Sequence, residues 1–121
     1  MDIQSAKSLV YRYFDTLLNQ RDISVCDALL APDYVDHDAP TETSPGPAST
    51  KAYVLTLLEN HLDLRVKIYD LTAEENRVAA RIIWRGTHHL TGHKLHYMGI
   101  VLLRLNEQGQ IAERWSAYQN L

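Results

Sequence analysis

The sequence predicts an α+β domain in which a curved antiparallel sheet wraps around N-terminal helices as a cone. Three observations carry this. Apolar residues recur at helical spacing at Ile3, Ala6, Val10, Tyr13, Phe14, Leu17 and Leu18, and again at Val54, Leu57, Leu58 and His61. From Arg77 onward apolar and polar residues alternate, the period of strands covered on one side. Turn residues at Glu74-Glu75-Asn76, Thr91-Gly92 and Glu107-Gln108-Gly109 separate those strands. Helices followed by long antiparallel strands argue one sheet laid over one helical layer.

The elements follow in order. Residues 2–20 read as an amphipathic helix that ends at Asn19-Gln20-Arg21. Asp22 can cap a short second helix reaching Leu30. Ala31-Pro32-Asp33 breaks it, and residues 34–37 form a short extended piece. Residues 38–48 hold three of the four prolines and read as a long, semi-rigid loop able to overhang a pocket. Ser49 or Thr50 caps a third helix through about His61.

The strand register follows from which side chains tolerate burial. A three-residue turn at Glu74-Glu75-Asn76 puts Leu64, Val66 and Ile68 on the face of Trp84; a two-residue turn would bury Arg65 and Lys67. A two-residue turn at Thr91-Gly92 pairs His88 with Leu95, Gly86 with Tyr97, Trp84 with Gly99 and Ile82 with Val101. A three-residue turn before the last strand, Gln110 to about Gln119, pairs Leu105 with Ile111, Val101 with Trp115 and Tyr97 with Gln119. Glu113, Trp115, Ala117 and Gln119 are thus expected on the concave apolar face. Gly86 and Gly99 leave space beside Trp84 and Tyr97, which predicts a hydrophobic cavity.

The 121 residues make a single domain, 1–121. A net charge of -3 gives no electrostatic reason to expect nucleic acid. The lone Cys26 has no internal disulfide partner and reads as a core or boundary residue. The N-terminus is polar and acidic, and no apolar run approaches a membrane span, so no membrane partner and a cytoplasmic location are expected.

Four stretches resemble one family. They are Ala31-Pro32-Asp33-Tyr34-Val35-Asp36-His37-Asp38-Ala39-Pro40, then Asp63-Leu64-Arg65-Val66, Arg85-Gly86-Thr87-His88, and Gly109-Gln110-Ile111-Ala112-Glu113-Arg114-Trp115. Their order and spacing are similar to SnoaL-like proteins, named after a polyketide cyclase, within the nuclear transport factor 2-like (cystatin-like cone) superfamily. The resemblance implies an intramolecular aldol chemistry with no metal or bound cofactor, and a homodimer formed through the convex face of the sheet. In the cyclases an aspartate on the last strand, a few residues after Glu-x-Trp, is the acid/base. The aligned position is Gln119, which does not titrate near neutrality. Two readings therefore stand side by side. One is a cofactor-independent cyclase or isomerase acting on a small carbonyl-bearing, polyketide-like compound. The other is a non-catalytic module of the same fold that binds a small hydrophobic molecule or mediates assembly.

For the first reading, His37 and His88 are the expected proton-transfer residues, because histidine titrates near neutral pH. Tyr97, Gln119, His61, Trp84 and Trp115 are the expected substrate contacts, the indoles as flat apolar walls. Glu113, read as inward-facing, needs a partner, and Arg12 is the candidate. The six histidines do not combine with carboxylates or the cysteine at ligand spacing, so no metal is expected.

Overall fold

The computed structural model describes residues 1–121. Helix α1 spans Ile3–Phe14, and its first turn is capped by Asp2, whose Oδ1 accepts the Ser5 N–H at 2.7 Å. The helix continues as a π-helical turn, Asp15–Asn19, that buries Leu17 and Leu18. Asn19 fastens this turn to the sheet. Its amide donates to the Val66 carbonyl at 2.8 Å and accepts the Val66 N–H at 2.8 Å. That pair satisfies backbone groups on an edge strand that has no further neighbour.

Helix α2 spans Val25–Leu29 and strand β1 spans Leu30–Asp36. Asp22 sits before α2, with its Oδ1 accepting the Ser24 N–H at 3.0 Å. Helix α3 spans Ala48–Asn60 with Pro47 at its N-cap and no side-chain cap, so Ser49 and Thr50, the expected caps, lie inside its first turn. Strands β2 (Arg65–Glu74), β3 (Arg77–Thr87), β4 (Lys94–Leu105) and β5 (Ile111–Asn120) complete one sheet in the order β1-β5-β4-β3-β2. The short extended piece expected at residues 34–37 is therefore a full strand. It begins at Leu30 and lies parallel to β5. Its partner is distant in sequence, and Pro32 is tolerated because β1 is an edge.

Two bulges decide which side chains face the helices. The β2–β3 turn is two residues, with Glu74 opposite Arg77, not three. A bulge at Tyr69 then restores the inward face, so Val66 pairs with Trp84 and Ile68 with Ile82 while Arg65 and Lys67 stay exposed. The concave placement survives although the turn length does not. In β5 a second bulge, at Ala112, separates the Leu105–Ile111 pair from the Arg104–Glu113 pair. Beyond it every residue sits on the opposite face from the one expected. Val101 meets Ser116, Leu102 meets Trp115, Tyr97 meets Asn120 and Met98 meets Gln119. Glu113, Trp115, Ala117 and Gln119 are convex, and Arg114, Ser116, Tyr118 and Asn120 are concave.

The β3–β4 hairpin keeps its predicted faces but shifts by two residues. Gly86 pairs with Leu95, Trp84 with Tyr97 and Ile82 with Gly99. The loop closes at His88, whose N–H donates to the His93 carbonyl at 2.9 Å. The core lies between the concave face (Val78, Ala80, Ile82, Val101, Leu103, Ile111) and the helical layer (Val10, Tyr13, Phe14, Leu17, Leu18), all of it buried. Each large apolar side chain so covered contributes roughly 1.5–3 kcal/mol. Cys26 is fully buried within the same core, and burial pushes its thiol up to about 11. No helix is long and apolar enough to cross a membrane.

Candidate functional site

A pocket of about 850 Å³ opens between the concave face of β4–β5, helices α1 and α3, and the loop from Ala39 to Gly46. Half of its lining residues are apolar. The loop overhangs it because Gly46 is clamped to β1: its N–H donates to the Tyr34 carbonyl at 2.7 Å. Gly46 has φ +100, and a Cβ there would lie 2.9 Å from the Pro32 carbonyl oxygen, so both conformation and space call for glycine.

The polar part of the pocket is built by neighbouring positions of β1 and β5. Asp36 and Arg114 are register partners in the parallel ladder. The Asp36 Oδ1 accepts the Asp38 N–H at 3.0 Å, and the Asp38 Oδ2 accepts the Ser116 N–H at 2.6 Å. The second Asp36 oxygen accepts no hydrogen bond. Arg114 donates from Nη2 to the Tyr118 hydroxyl and lies over the Phe14 ring at 5.8 Å. Burial opposes its charge, but the phenol oxygens of Tyr118, Tyr13 and Tyr34 and the Asp36 carboxylate outweigh that and hold its pKa above the ordinary value. Burial raises the phenols too: Tyr34 is pushed up to about 12, and Tyr13 well above its usual range. Both are therefore neutral donors at pH 7.

Three buried polar atoms at this pocket have no partner: the Tyr13 hydroxyl, Trp84 Nε1 and Arg114 Nε. The glycine spaces, by contrast, are filled. A Cβ on Gly99 would lie 2.5 Å from Tyr118 Cε1, and one on Gly86 would lie 3.3 Å from Leu64 and 3.4 Å from His61. Tyr118 is thus laid flat on the Gly99 backbone, and its ring meets Trp84 edge-on at 6.3 Å.

The expected site residues divide. Trp84 and Tyr97 line the pocket. His37 borders it, yet its ring belongs to the convex side: it stacks on Trp115 at 4.6 Å, and its Nε2 donates to Glu113 Oε2 at 2.7 Å. Trp115 and Gln119 are convex because of the Ala112 bulge, and neither touches the pocket. His88 lies beyond the end of β3, with its Nδ1 accepting the Leu90 and Thr91 N–H groups at 3.2 and 3.3 Å. His61 is buried behind Gly86, with its Nδ1 donating to the Leu57 carbonyl at 3.0 Å, and meets His88 edge-on at 5.4 Å. Neither histidine lines the pocket. Glu113 is paired on the convex face with Arg104 and His37, not with Arg12. No cluster of three metal-ligating side chains exists.

Sequence reasoning missed Arg114, Asp36, Tyr13 and Tyr34. The two faces of β5 are similarly mixed in polarity, so alternation alone does not say which is inward. The available signal was the tyrosine content, seven against one phenylalanine, since a buried phenol needs a polar neighbour.

The sequence profile of SnoaL-like polyketide cyclases matches residues 8–121. A search among curated proteins finds no significant relative. Solved structures with the same fold include TsrD from Streptomyces laurentii, at TM-score 0.86 and 21% identity over 98% of this chain and 91% of that one. IdmH from Streptomyces antibioticus, a candidate polyketide cyclase, aligns at TM-score 0.79 and 21% identity over 94% and 91%. AclR from Streptomyces galilaeus, a candidate hydroxylase, aligns at 0.81 and 23% over 98% and 77%.

Proposed function

Since this chain belongs to the SnoaL-like polyketide cyclase family, we propose that its pocket binds a small carbonyl-bearing ring compound and moves a proton on it, as a cyclase or isomerase. The observation that carries the reading is a carboxylate beside a set of unmatched donors. Asp36 presents an oxygen with no hydrogen bond to a pocket that also holds the unpartnered Tyr13 hydroxyl. In this mechanism Asp36 takes a proton from the carbon next to the carbonyl and becomes a carboxylic acid. The bonding pair moves onto the carbonyl oxygen, where Tyr13 donates to the developing negative charge. The enolate carbon then attacks a second carbonyl and closes a ring, the new alkoxide taking the proton back from Asp36, or Asp36 returns the proton at another carbon. Trp84 and Tyr97 form the flat walls that orient the ring. Asp36 takes the role assigned from sequence to His37 and His88, because those rings are engaged elsewhere.

Hydrogen–deuterium exchange on β-tetralone, whose ring CH2 beside the carbonyl is acidic, tests the reading by NMR. The protein is expected to accelerate exchange, and Asp36→Asn to lower that acceleration by about a hundredfold while leaving probe affinity within a few-fold. Binding of the probe with no accelerated exchange would instead select the non-catalytic module.

The convex face suits a second copy of this chain. Ile83, Met98, Ile100, Leu102 and Trp115 share it, and Ile100 is 48% exposed. Homodimerisation through this face leaves the pocket, on the other side of the sheet, open.

A further inference from the structure

We propose that the ligand of this pocket carries a carboxylate and that Arg114 receives it. This rests on the pocket being a ligand site, as above, and adds the charge of the ligand. Arg114 is the sole lysine or arginine among the lining residues. The chain's four ion pairs involve Lys51, Arg81, Arg104 and His37, so Arg114 has no carboxylate within salt-bridge distance. Each of the pocket's carboxylates gives one oxygen to a backbone donor, Asp36 to Asp38 and Asp38 to Ser116, and neither forms a hydrogen bond or ion pair with Arg114. The guanidinium is set among Phe14, Tyr13, Tyr34 and Tyr118 with Asp36 as its near carboxylate but with no direct ion pair, so its fork is left for a bound anion to fill.

The orphaned atoms give the sign. Tyr13 is 1% exposed and Trp84 8% exposed, and both present buried polar atoms without partners at this pocket, as does Arg114 at Nε. Indole and guanidinium N–H groups only donate, and the phenol can donate. The matching ligand is therefore rich in acceptor oxygens. A neutral ketone answers one or two of these donors and leaves the guanidinium without a direct ion pair. A carboxylate is flat, accepts through two oxygens and fits the guanidinium fork. A phosphate has less support, because the lining adds no second cation to the one arginine. The remaining walls, Phe14, Leu17, Leu18, Val54, Leu57 and Leu95, take an apolar body. The class is an aromatic or alicyclic acid that also bears a carbonyl, with its carboxylate on Arg114 and its carbonyl oxygen on Tyr13.

Calorimetric titration of the full chain with β-naphthoate and with its methyl ester tests this. The acid is expected to bind at least about tenfold more tightly than the ester in the wild type. Arg114→Gln is expected to bring the two within about twofold by weakening the acid alone. The wild-type ratio decides the charge even if that variant folds poorly, and a melting curve of the variant accompanies it. Equal binding of acid and ester overturns the carboxylate assignment and leaves the ligand site standing. A preference for the acid that survives Arg114→Gln overturns Arg114 as its receiver. Failure of both probes to bind overturns the ligand site together with the proposal.

Discussion

Single side chains on the two faces of the sheet report on different things. Trp84 lines the pocket, whereas Trp115 lies outside between His37 and Arg77, whose guanidinium carbon is 5.5 Å from the indole. A ligand that changes the protein's tryptophan fluorescence is expected to lose that effect in Trp84→Phe and keep it in Trp115→Phe, a fluorescence titration that checks the face assignment directly. Glu113 gives a pH signature. Its bonds to Arg104 and then His37 hold its carboxyl below the ordinary 4.5. A folded pKa below the unfolded one means stability that is present above about pH 4.5 and lost as pH falls through the folded value. Glu113→Gln is expected to remove that slope, narrowing the stability difference between pH 6 and pH 3 by about 1 kcal/mol or less, read from urea unfolding at each pH.

At the level of strands, one extra residue has the largest effect. The bulge at Ala112 sends Arg114, Ser116, Tyr118 and Asn120 inward. Deleting Ala112 would remove the bulge, place Glu113 directly after Ile111 and keep Glu113 opposite Arg104, so Arg114, Ser116, Tyr118 and Asn120 stay concave. The expected outcome is a cost of about 1–3 kcal/mol by urea denaturation, with probe binding kept within a few-fold. This bulge also explains what the sequence could and could not reveal. Helix α1 was legible because its apolar positions repeat over several turns, and β3 and β4 because Val78, Ala80, Ile82, Val101 and Leu103 contrast sharply with the arginines between them. In β5 neither set of alternate residues is clearly apolar, so a slip of one residue costs nothing visible in the pattern, and the pocket side of the strand was assigned to the wrong residues. In β2 the slip was harmless, since the Tyr69 bulge cancelled the shorter turn. Trp84 and Tyr97 were found because they lie on the legible strands. Arg114 and Asp36 were not, because they depend on a parallel pairing between segments far apart in sequence.

On the scale of the whole molecule, the pocket and the convex apolar surface lie on opposite sides of one sheet, so the proposed ligand binding and the proposed self-association are separable. Ile100→Asp is expected to raise the dimer dissociation constant by about a hundredfold or more in sedimentation equilibrium, and to leave pocket binding unchanged. The strand order carries a further consequence. β5 lies between β1 and β4, and β1 has no other neighbour in the sheet. On the ribosome, β1 is delivered long before the strand that holds it. Until Ile111 and its successors emerge, Leu30 and Ala31 have no β5 to close against, and the three-stranded meander stays unsealed along one flank. Completion is thus a late, long-range event, and nascent chains paused ahead of it are the form a chaperone would meet.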